Sequence, residues 1–138
     1  MLKIPKESLI VVADGRRARV FRNRGSAMQP LLEEETSLVP GRPDGRGASG
    51  VSPPERDAQE LLEATFARQV ADMLYQRAHA RDYEHVVLMV DPGTLGQLRT
   101  CLHKEVRERV LLEIATDQSK ASATDIRTAL MSVLSKQP

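Results

Sequence analysis

The carboxylates that could do chemistry in this chain stand beside its apolar segments. Asp14 follows the apolar run of residues 8–13, Asp91 follows the run of residues 85–90, and Glu63, with Glu60 as an alternative, lies in a long segment without Gly or Pro. Carboxylates brought together from such elements can hold paired divalent ions for phosphoryl transfer. Asp14, Asp91 and Glu63 are therefore the candidate catalytic residues of a metal-dependent nuclease.

Two of these acids also suit structural roles. Asp14 precedes Gly15, as a tight turn requires, and Asp91 precedes Pro92 between a strand and a helix. If turn formation is their whole role, we expect Asp14 and Asp91 not to share a site. The sequence favours this interpretation and predicts no bound metal.

Other catalytic motifs have little support. Cys101 and His103 are too close in sequence to face each other on a helix. His79 and His85 lack the spacing of zinc ligands, and the Gly-rich segment 41–50 has neither the P-loop lysine nor the dinucleotide-binding spacing. The sequence therefore predicts no cofactor and favours a protein that is not an enzyme.

Arginines offer a second kind of site. Residues 1–25 carry seven cations and two acids, whereas residues 26–63 carry three cations and eight acids. Because guanidinium groups make bidentate contacts with phosphates, we predict phosphate or RNA contacts at these arginines: Arg16, Arg17, Arg19, Arg42 and Arg46. The alternative is that the basic and acidic segments pair with each other.

A β-hairpin must position the first of these groups. Residues 8–13 and about 16–23 are apolar or β-branched runs, and Asp14-Gly15 between them is a hairpin signal. A two-residue turn at Asp14-Gly15 pairs Val12 with Arg17 and Val11 with Ala18. One face of the hairpin is then apolar, and the other carries Arg17 and Arg19 beside aliphatic side chains.

Further elements follow at regular intervals. A third strand is expected at residues 31–38, a long amphipathic helix from Ser52 to about Arg81, and a central strand at 85–90. A helix capped by Thr94, a fifth strand at 109–115 and a helix capped by Ser122 follow. For the fifth strand, a helix through Val106, Val110 and Ile114 is the alternative. Leu62, Phe66 and Val70 mark the buried stripe of the long helix. This order predicts an α/β fold with a mixed five-stranded sheet and flanking helices, as in ribonuclease H-like proteins.

The organisation of the chain is that of one domain spanning residues 1–138. A flexible loop is predicted at about 39–54, because this segment is rich in Gly and Pro. A single cysteine fits a reducing compartment, and the N-terminus lacks a signal-peptide pattern. We therefore expect a cytoplasmic protein without membrane contact.

Two blocks of sequence resemble the bacterial host-attachment protein family. They are VVADGRRARVFRNRG near the N-terminus and HVVLMVDPGTLGQLRTCL followed by VRERV, and the resemblance covers about residues 8–117. That family is similar to the middle domain of archaeal and eukaryotic peptide-chain release factors. The resemblance implies a release-factor middle-domain fold and association with ribosomal RNA or tRNA.

The same resemblance identifies the predicted loop with the Gly-Gly-Gln loop of release factors, whose glutamine helps water attack peptidyl-tRNA. This chain keeps the Gly and Arg character there but has no glutamine, in a segment consisting of Gly45, Arg46, Gly47, Ala48, Ser49 and Gly50. Hydrolysis of peptidyl-tRNA is therefore not expected. Any role in host attachment would be indirect, because no export signal precedes the first strand.

Three functions remain open from the sequence. The leading hypothesis is a non-enzymatic module that contacts ribosomal RNA or tRNA through the arginines. The second is a hydrolase, either the metal-dependent nuclease or a degenerate peptidyl-tRNA hydrolase. The third is a protein-interaction module in which the acidic edge at residues 33–35 meets a partner or a second copy of the chain in a homo-oligomer.

Overall fold

A computed structural model describes residues 3–41 and 55–136, and side chains within the second range from residue 61 onward. The elements follow in chain order: β1 Leu9–Ala13, β2 Ala18–Asn23, β3 Leu32–Leu38, α1 Glu55–His79, β4 Val86–Val90, α2 Pro92–Cys101, α3 Lys104–Arg107, β5 Val110–Ala115 and α4 Ala123–Ser135. The predicted order of strands and helices is confirmed, and α3 is an additional short helix.

The five strands form one mixed sheet in the order β3-β2-β1-β4-β5. β2 is antiparallel to β1 and β3, whereas β4 is parallel to β1 and β5. Helices join the parallel strands because a parallel neighbour requires a crossover connection. The predicted α/β class with a mixed five-stranded sheet is thereby confirmed.

The β1–β2 hairpin forms, but its register differs by two residues from the prediction. Val11 pairs with Val20 and Val12 pairs with Arg19. The carboxylate of Asp14 accepts hydrogen bonds from the backbone N–H groups of Arg16 and Arg17, so the turn extends to Arg17. Since the side-chain period of a strand is two, this shift leaves every residue on its predicted face.

One face of the sheet packs against α1, α2 and α3. Phe66, Val70 and Leu74 of α1 are buried there against Val11 and Leu88 of the central strands. Leu62, which we predicted for the same stripe, is 56% exposed and lies outside this core. Leu61 beside it is 63% exposed as well, so the buried stripe of α1 begins at Phe66 among the residues with described side chains.

The second face of the sheet is covered by α4. Ile126, Leu130 and Leu134 of this helix pack against a core that includes Ile10 and Phe21. Ser122 caps α4 as predicted, because its hydroxyl accepts a hydrogen bond from Asp125 N. In α2, by contrast, the cap is Asp91 and not the predicted Thr94, since the helix begins at the proline that follows the acid.

Within the described ranges, no helix is both long and apolar enough to cross a membrane.

Candidate functional site

A polar pocket of about 310 Å³ lies at the carboxyl-terminal ends of the parallel strands β1, β4 and β5. We call it the hairpin-edge pocket, because the β1–β2 turn forms one of its walls. Its lining residues are Asp14, Gly15, Arg16, Glu63, Asp91, Gly93, Thr94, Gln97 and Asp117. Open α/β sheets bind ligands at this end of their strands, so the pocket is the first candidate for a functional site.

Asp14, Asp91 and Glu63, the three carboxylates proposed from sequence, all line this pocket. The expectation that Asp14 and Asp91 do not share a site is therefore wrong. The physical reason is that β1 and β4 are adjacent and parallel, so residues that follow their carboxyl ends lie side by side. Asp117, which the sequence did not single out as a site residue, joins them from the end of β5.

Asp14 is the most firmly held of these acids. One carboxylate oxygen accepts hydrogen bonds of 2.8 Å from both Arg16 N and Arg17 N, and the other accepts one of 2.7 Å from Ser119 Oγ. Partial burial alone would raise the pKa of Asp14, but these hydrogen bonds and the charge of Arg17 outweigh it and lower the pKa. Asp14 is therefore a charged turn residue at neutral pH.

Asp91 and Gln97 present acceptor atoms without a partner. One oxygen of Asp91 caps α2 by accepting from Thr94 N at 3.2 Å. The other oxygen and the Gln97 side-chain oxygen are buried, and neither has a hydrogen-bond partner among the described residues. Unpartnered buried acceptors are costly, so the inner wall of the pocket is suited to a hydrogen-bond donor.

Glu63 closes the pocket from α1. A side chain added at Gly15 would place its Cβ 2.8 Å from Glu63 Oε2, so the glutamate lies directly against the hairpin turn. Gly15 is buried, and its lack of a side chain lets the carboxylate approach. This contact links the long helix to the β1–β2 turn, and no signal in the sequence indicated it.

The pocket does not fit a metal centre as its residues are placed. Among the residues with described positions, no three His, Cys, Asp or Glu side chains are close enough to hold a metal ion. Both oxygens of Asp14 already accept hydrogen bonds, and one oxygen of Asp91 is taken by the α2 cap. The shared position of the acids thus lacks the arrangement that two-ion chemistry requires.

The arginines proposed for phosphate contacts have different surroundings. Arg16 and Arg17 are exposed at the tip of the hairpin. Arg19 is bound within the molecule: it pairs with Glu34 at 2.9 Å, donates to the carbonyls of Ser119 and Ala121, and lies 5.0 Å from the centre of the Phe21 ring. Its guanidinium therefore holds the segment before α4 against β2.

Arg22 of β2 and Arg24, which follows β2, also pair with the glutamates of β3. Arg22 bonds to Glu35 at 2.7 Å, and Arg24 pairs with Glu33 at 3.3 Å and with Glu7 at 2.9 Å. Hydrogen bonds from arginine lower the pKa of Glu35 despite its partial burial, and they act in the same way on Glu34. The basic and acidic segments of the sequence thus neutralise each other across adjacent strands.

Several predicted residues cannot be placed in this site. The predicted loop residues Arg42, Gly45, Arg46, Gly47, Ala48 and Ser49 lie outside the described part of the chain. The flanking described segments are both near the hairpin turn, because Leu38 pairs with Ala18 and Glu63 contacts Gly15.

Cys101 and His103 are kept apart by other contacts, as their spacing predicted. Cys101 is half-buried beside the α1 core and has Thr100 Oγ1 at 3.8 Å. His103 stacks on Tyr75, with ring centres 4.0 Å apart. These contacts give both side chains packing roles.

Comparison with known proteins agrees with the fold. The archaeal translation termination factor aRF1 has a crystal structure that superposes with a TM-score of 0.50 and 10% sequence identity, covering 93% of this chain. The match spans 39% of that protein's length, and at this identity the likeness is one of fold. Among the curated proteins compared, none matches the sequence.

A family model gives the relationship directly. Residues 7–130 match the model described as bacterial archaeo-eukaryotic release factor family 12, which is well over half of the chain. The predicted relationship to release factors is confirmed, whereas the resemblance to host-attachment proteins stays a prediction. This chain belongs to the bacterial archaeo-eukaryotic release factor family, in its family 12.

Proposed function

We propose that this protein is a release-factor-like module that binds ribosomal RNA or tRNA through its hairpin edge and does not hydrolyse peptidyl-tRNA. The observation that carries the proposal is the position of Arg16 and Arg17. They are exposed at the β1–β2 turn, which also lies near the described residues Leu38 and Glu63. The segment between them carries Arg42 and Arg46.

Family membership supports the partner class, and the sequence of that segment supports the lack of hydrolysis. Release factors work on the ribosome, where RNA phosphates are the most abundant anions. Residues 39–54 contain no glutamine, so the side chain that resemblance assigns to water activation is missing. Arg19, which we also predicted as a phosphate contact, has its guanidinium engaged by Glu34 and two carbonyl oxygens. We therefore assign the contacts to the other four arginines.

A salt series on RNA binding tests this proposal. Each phosphate contact releases counterions, so the slope of log affinity against log salt reports the number of contacts. Replacing both Arg16 and Arg17 by Ala should weaken binding to ribosomes and to tRNA. It should also make the slope shallower by the amount that corresponds to about two phosphate contacts. The matched control replaces Lys6 and Lys104, two exposed cations that precede β1 and β5, at the end of these strands opposite the hairpin turn. The control removes the same charge from a surface without a proposed role in RNA binding.

The outcomes distinguish binding through the hairpin arginines from binding driven by net charge alone. The proposal expects a flatter salt slope for the hairpin variant and an unchanged slope for the control. Equal losses in both variants would mean that net charge alone drives binding. Absence of binding by the unmodified protein at low salt would refute the RNA partner itself.

A hydrolase is the second candidate, and the shared position of Asp14, Glu63 and Asp91 favours it. In an RNA-binding module these acids repel phosphates near Arg16, whereas in a hydrolase they take part in the reaction. Glu63→Gln discriminates the two, because Glu63 is the pocket acid without a recorded hydrogen bond among the described residues. The RNA-binding module predicts tighter RNA binding by Glu63→Gln, and the hydrolase predicts loss of cleavage.

The structure makes the acidic edge of β3 a less favourable contact surface for the protein-interaction hypothesis. The acids at residues 33–35 are paired with Arg24, Arg19 and Arg22 in the same sheet. A partner that used their charge would have to displace these ion pairs. An acid-driven contact at β3 is therefore less favourable than contact at a surface without such pairing.

A further inference from the structure

A second pocket lies at the end of the sheet opposite the hairpin-edge pocket, where β1 and β4 begin. Its volume is about 440 Å³, and it is lined by residues 5–8, residues 81–85 and Arg22. We call it the strand-start pocket. Residues 5–8 precede β1, and residues 81–85 connect α1 to β4. Cavities of this size hold small organic molecules in many proteins, and Arg16 and Arg17 lie at the other end of the strands.

Both of the described non-glycine residues that have a left-handed backbone lie in the wall of this pocket. Glu7 has φ of 75°, and Arg81 has φ of 59°. A side chain makes this conformation costly, and residues held in it are concentrated at functional sites. Each of the two segments that form the pocket therefore contains one strained residue.

Arg81 occupies the position at which glycine usually ends a helix. Its N–H donates to the Ala78 carbonyl at 2.9 Å, and the next N–H, of Asp82, donates to the Arg77 carbonyl at 2.9 Å. These two bonds form the Schellman motif, whose left-handed residue is usually Gly because a Cβ is disfavoured there. An arginine at this position weakens the end of α1, so local folding does not account for its presence.

Two acids of the pocket wall are neutralised by arginines. Glu7 pairs with Arg24 at 2.9 Å. Asp82 pairs with Arg22 at 2.9 Å and with Arg77 at 2.7 Å. Because an ion pair at such a distance has little net charge, these two carboxylates neither attract a further cation strongly nor repel an anion strongly.

Two cations of the wall have no such partner. Lys6 and Arg81 are exposed, and neither forms an ion pair with another residue in the described ranges. The third acid of the wall, Glu84, is also exposed and unpaired within these ranges. The charged groups that a ligand can meet are therefore two cations and one acid, which favours an anion.

Ser8 adds a buried polar group to the same wall. It is 2% exposed and lines the pocket. Its N–H donates to the Pro5 carbonyl, and its carbonyl accepts from Asn23 N, but its hydroxyl has no hydrogen-bond partner among the described residues. Buried hydroxyl groups nearly always have a partner, and an O–H group can donate to an anionic oxygen.

We propose that the strand-start pocket binds a small organic anion whose phosphate or carboxylate group contacts Arg81 and Lys6. A guanidinium group can donate two parallel hydrogen bonds to either kind of group, and the hydroxyl of Ser8 supplies a further donor at the wall. Pro5 and Tyr83 offer apolar surface to the rest of the ligand, because the Tyr83 hydroxyl is already bonded to a backbone carbonyl at 2.8 Å. The strained backbone at Arg81 is then retained for binding.

Titration with two aromatic anions, followed through backbone amide shifts in NMR spectra, tests the pocket. Phenyl phosphate and benzoate present the two kinds of anionic group on the same ring, and benzyl alcohol is the neutral control. We expect saturable shifts at residues 6–8 and 81–85 with at least one anion and none with benzyl alcohol. The anion that binds more tightly identifies the group. No saturable shift with either anion, or equal shifts with benzyl alcohol, would overturn the proposal.

Replacement of Arg81 separates binding from folding. Arg81→Gly removes the cation and the backbone strain together, so the midpoint of urea unfolding should rise while the affinity for the anion falls at least tenfold. Arg81→Lys keeps the charge and the strain, and it should retain most of the affinity. Lys120→Ala, which removes an exposed cation beyond the carboxyl-terminal end of β5, is the matched control and should bind as the unmodified protein does.

Two outcomes for Arg81→Gly would refute the proposal. Unchanged affinity would show that the arginine does not contact the ligand. A lower unfolding midpoint would show that the arginine is needed for the fold and not for binding. RNA is absent from these measurements, so they stand apart from the proposed function.

Discussion

Arg22 provides the sharpest test of how this sheet is stabilised. Its side chain is 6% exposed, and its guanidinium uses all five N–H donors. They bond to both carboxylate oxygens of Glu35, to Asp82 Oδ2 at 2.9 Å, and to the carbonyl oxygens of Glu7 and Asp82. The hydrogen bond to Glu35 is the main cause that raises the pKa of Arg22. One buried cation therefore joins β2 to β3 and to both segments that precede the central strands.

Replacing Arg22 by Met keeps most of the apolar stem and removes the guanidinium. Breaking a buried ion pair costs about 3–5 kcal/mol, because the remaining charge is left without its partner. The lower end of that range applies here, since the side chains of Glu35 and Asp82 are 20% and 38% exposed and can regain water. Glu7 has a left-handed backbone with φ of 75°, and loss of the bond to its carbonyl removes support from that turn.

Urea unfolding of the unmodified protein, Arg22→Met and Arg24→Met measures this difference. Arg24 also has three acidic partners, but its side chain is 40% exposed, so its ion pairs are screened by water. We expect a large fall in the unfolding midpoint for Arg22→Met and little change for Arg24→Met. Equal midpoints for the two variants would refute the argument that burial makes Arg22 different.

The same variant has a predicted pH dependence. Because the folded protein lowers the pKa of Glu35, chiefly through the hydrogen bond from Arg22, the resulting stability is present above the ordinary carboxyl pKa and is lost as the pH falls through the lowered value. The stability difference between the unmodified protein and Arg22→Met should therefore be greatest near neutrality and shrink in acid. A constant difference down to pH values of about 3 would contradict this linkage.

Three further predictions concern the core, the turns and the pocket. Phe66→Ala should cost about 3–5 kcal/mol in urea unfolding, because Phe66 is fully buried, whereas Leu62→Ala should change the midpoint little. Gly25→Ala should destabilise the protein strongly, since the added Cβ would overlap the Gln29 carbonyl oxygen and lie 2.8 Å from Leu31 N. In the same urea unfolding experiment, Gly96→Ala in α2 is the control, because its Cβ meets nothing within 4 Å and should stabilise the protein by about 0.5–1 kcal/mol. Asp14→Asn should lower the stability at neutral pH, because the pKa of Asp14 is lowered on folding and its charged form stabilises the protein there. The effect should disappear in acid, where Asp14 is protonated. Melting temperatures of both proteins at neutral and at acidic pH test this difference.

The elements of this fold could be predicted because their signals are local. Alternating and continuous apolar runs gave the five strands, and Ser122 identified the start of α4 from one short motif. The register of the hairpin was wrong by two residues because the carboxylate of Asp14 binds two backbone N–H groups and extends the turn. The prediction that Leu62 is buried was wrong because helical periodicity shows which residues share a face of the helix but not which turns of that face are covered.

The sequence allowed individual acids of the candidate site to be predicted, but not that they meet in one pocket. Asp14, Asp91 and Glu63 were each recognisable as acids beside elements, yet their shared pocket depends on β1 and β4 being adjacent and parallel. Gln97 and Asp117 gave no signal of their own. A search of the acids that follow each parallel strand would have found Asp117, since all such residues meet at one edge of the sheet.

The arginines show why the charge of a segment is a poor guide to its partners. Residues 1–25 have an excess of five positive charges in sequence, but Arg19, Arg22 and Arg24 each face a glutamate on β3. An ion pair at these distances has little net charge, so it attracts a distant phosphate weakly. Salt weakens this attraction further, because the screening length is about 8 Å at physiological ionic strength. The arginines of this segment that face no glutamate of β3 are those at the turn, Arg16 and Arg17, and of these Arg16 also lines the acidic hairpin-edge pocket. The hairpin tip, and not the length of β2, is therefore where an anionic partner should be sought.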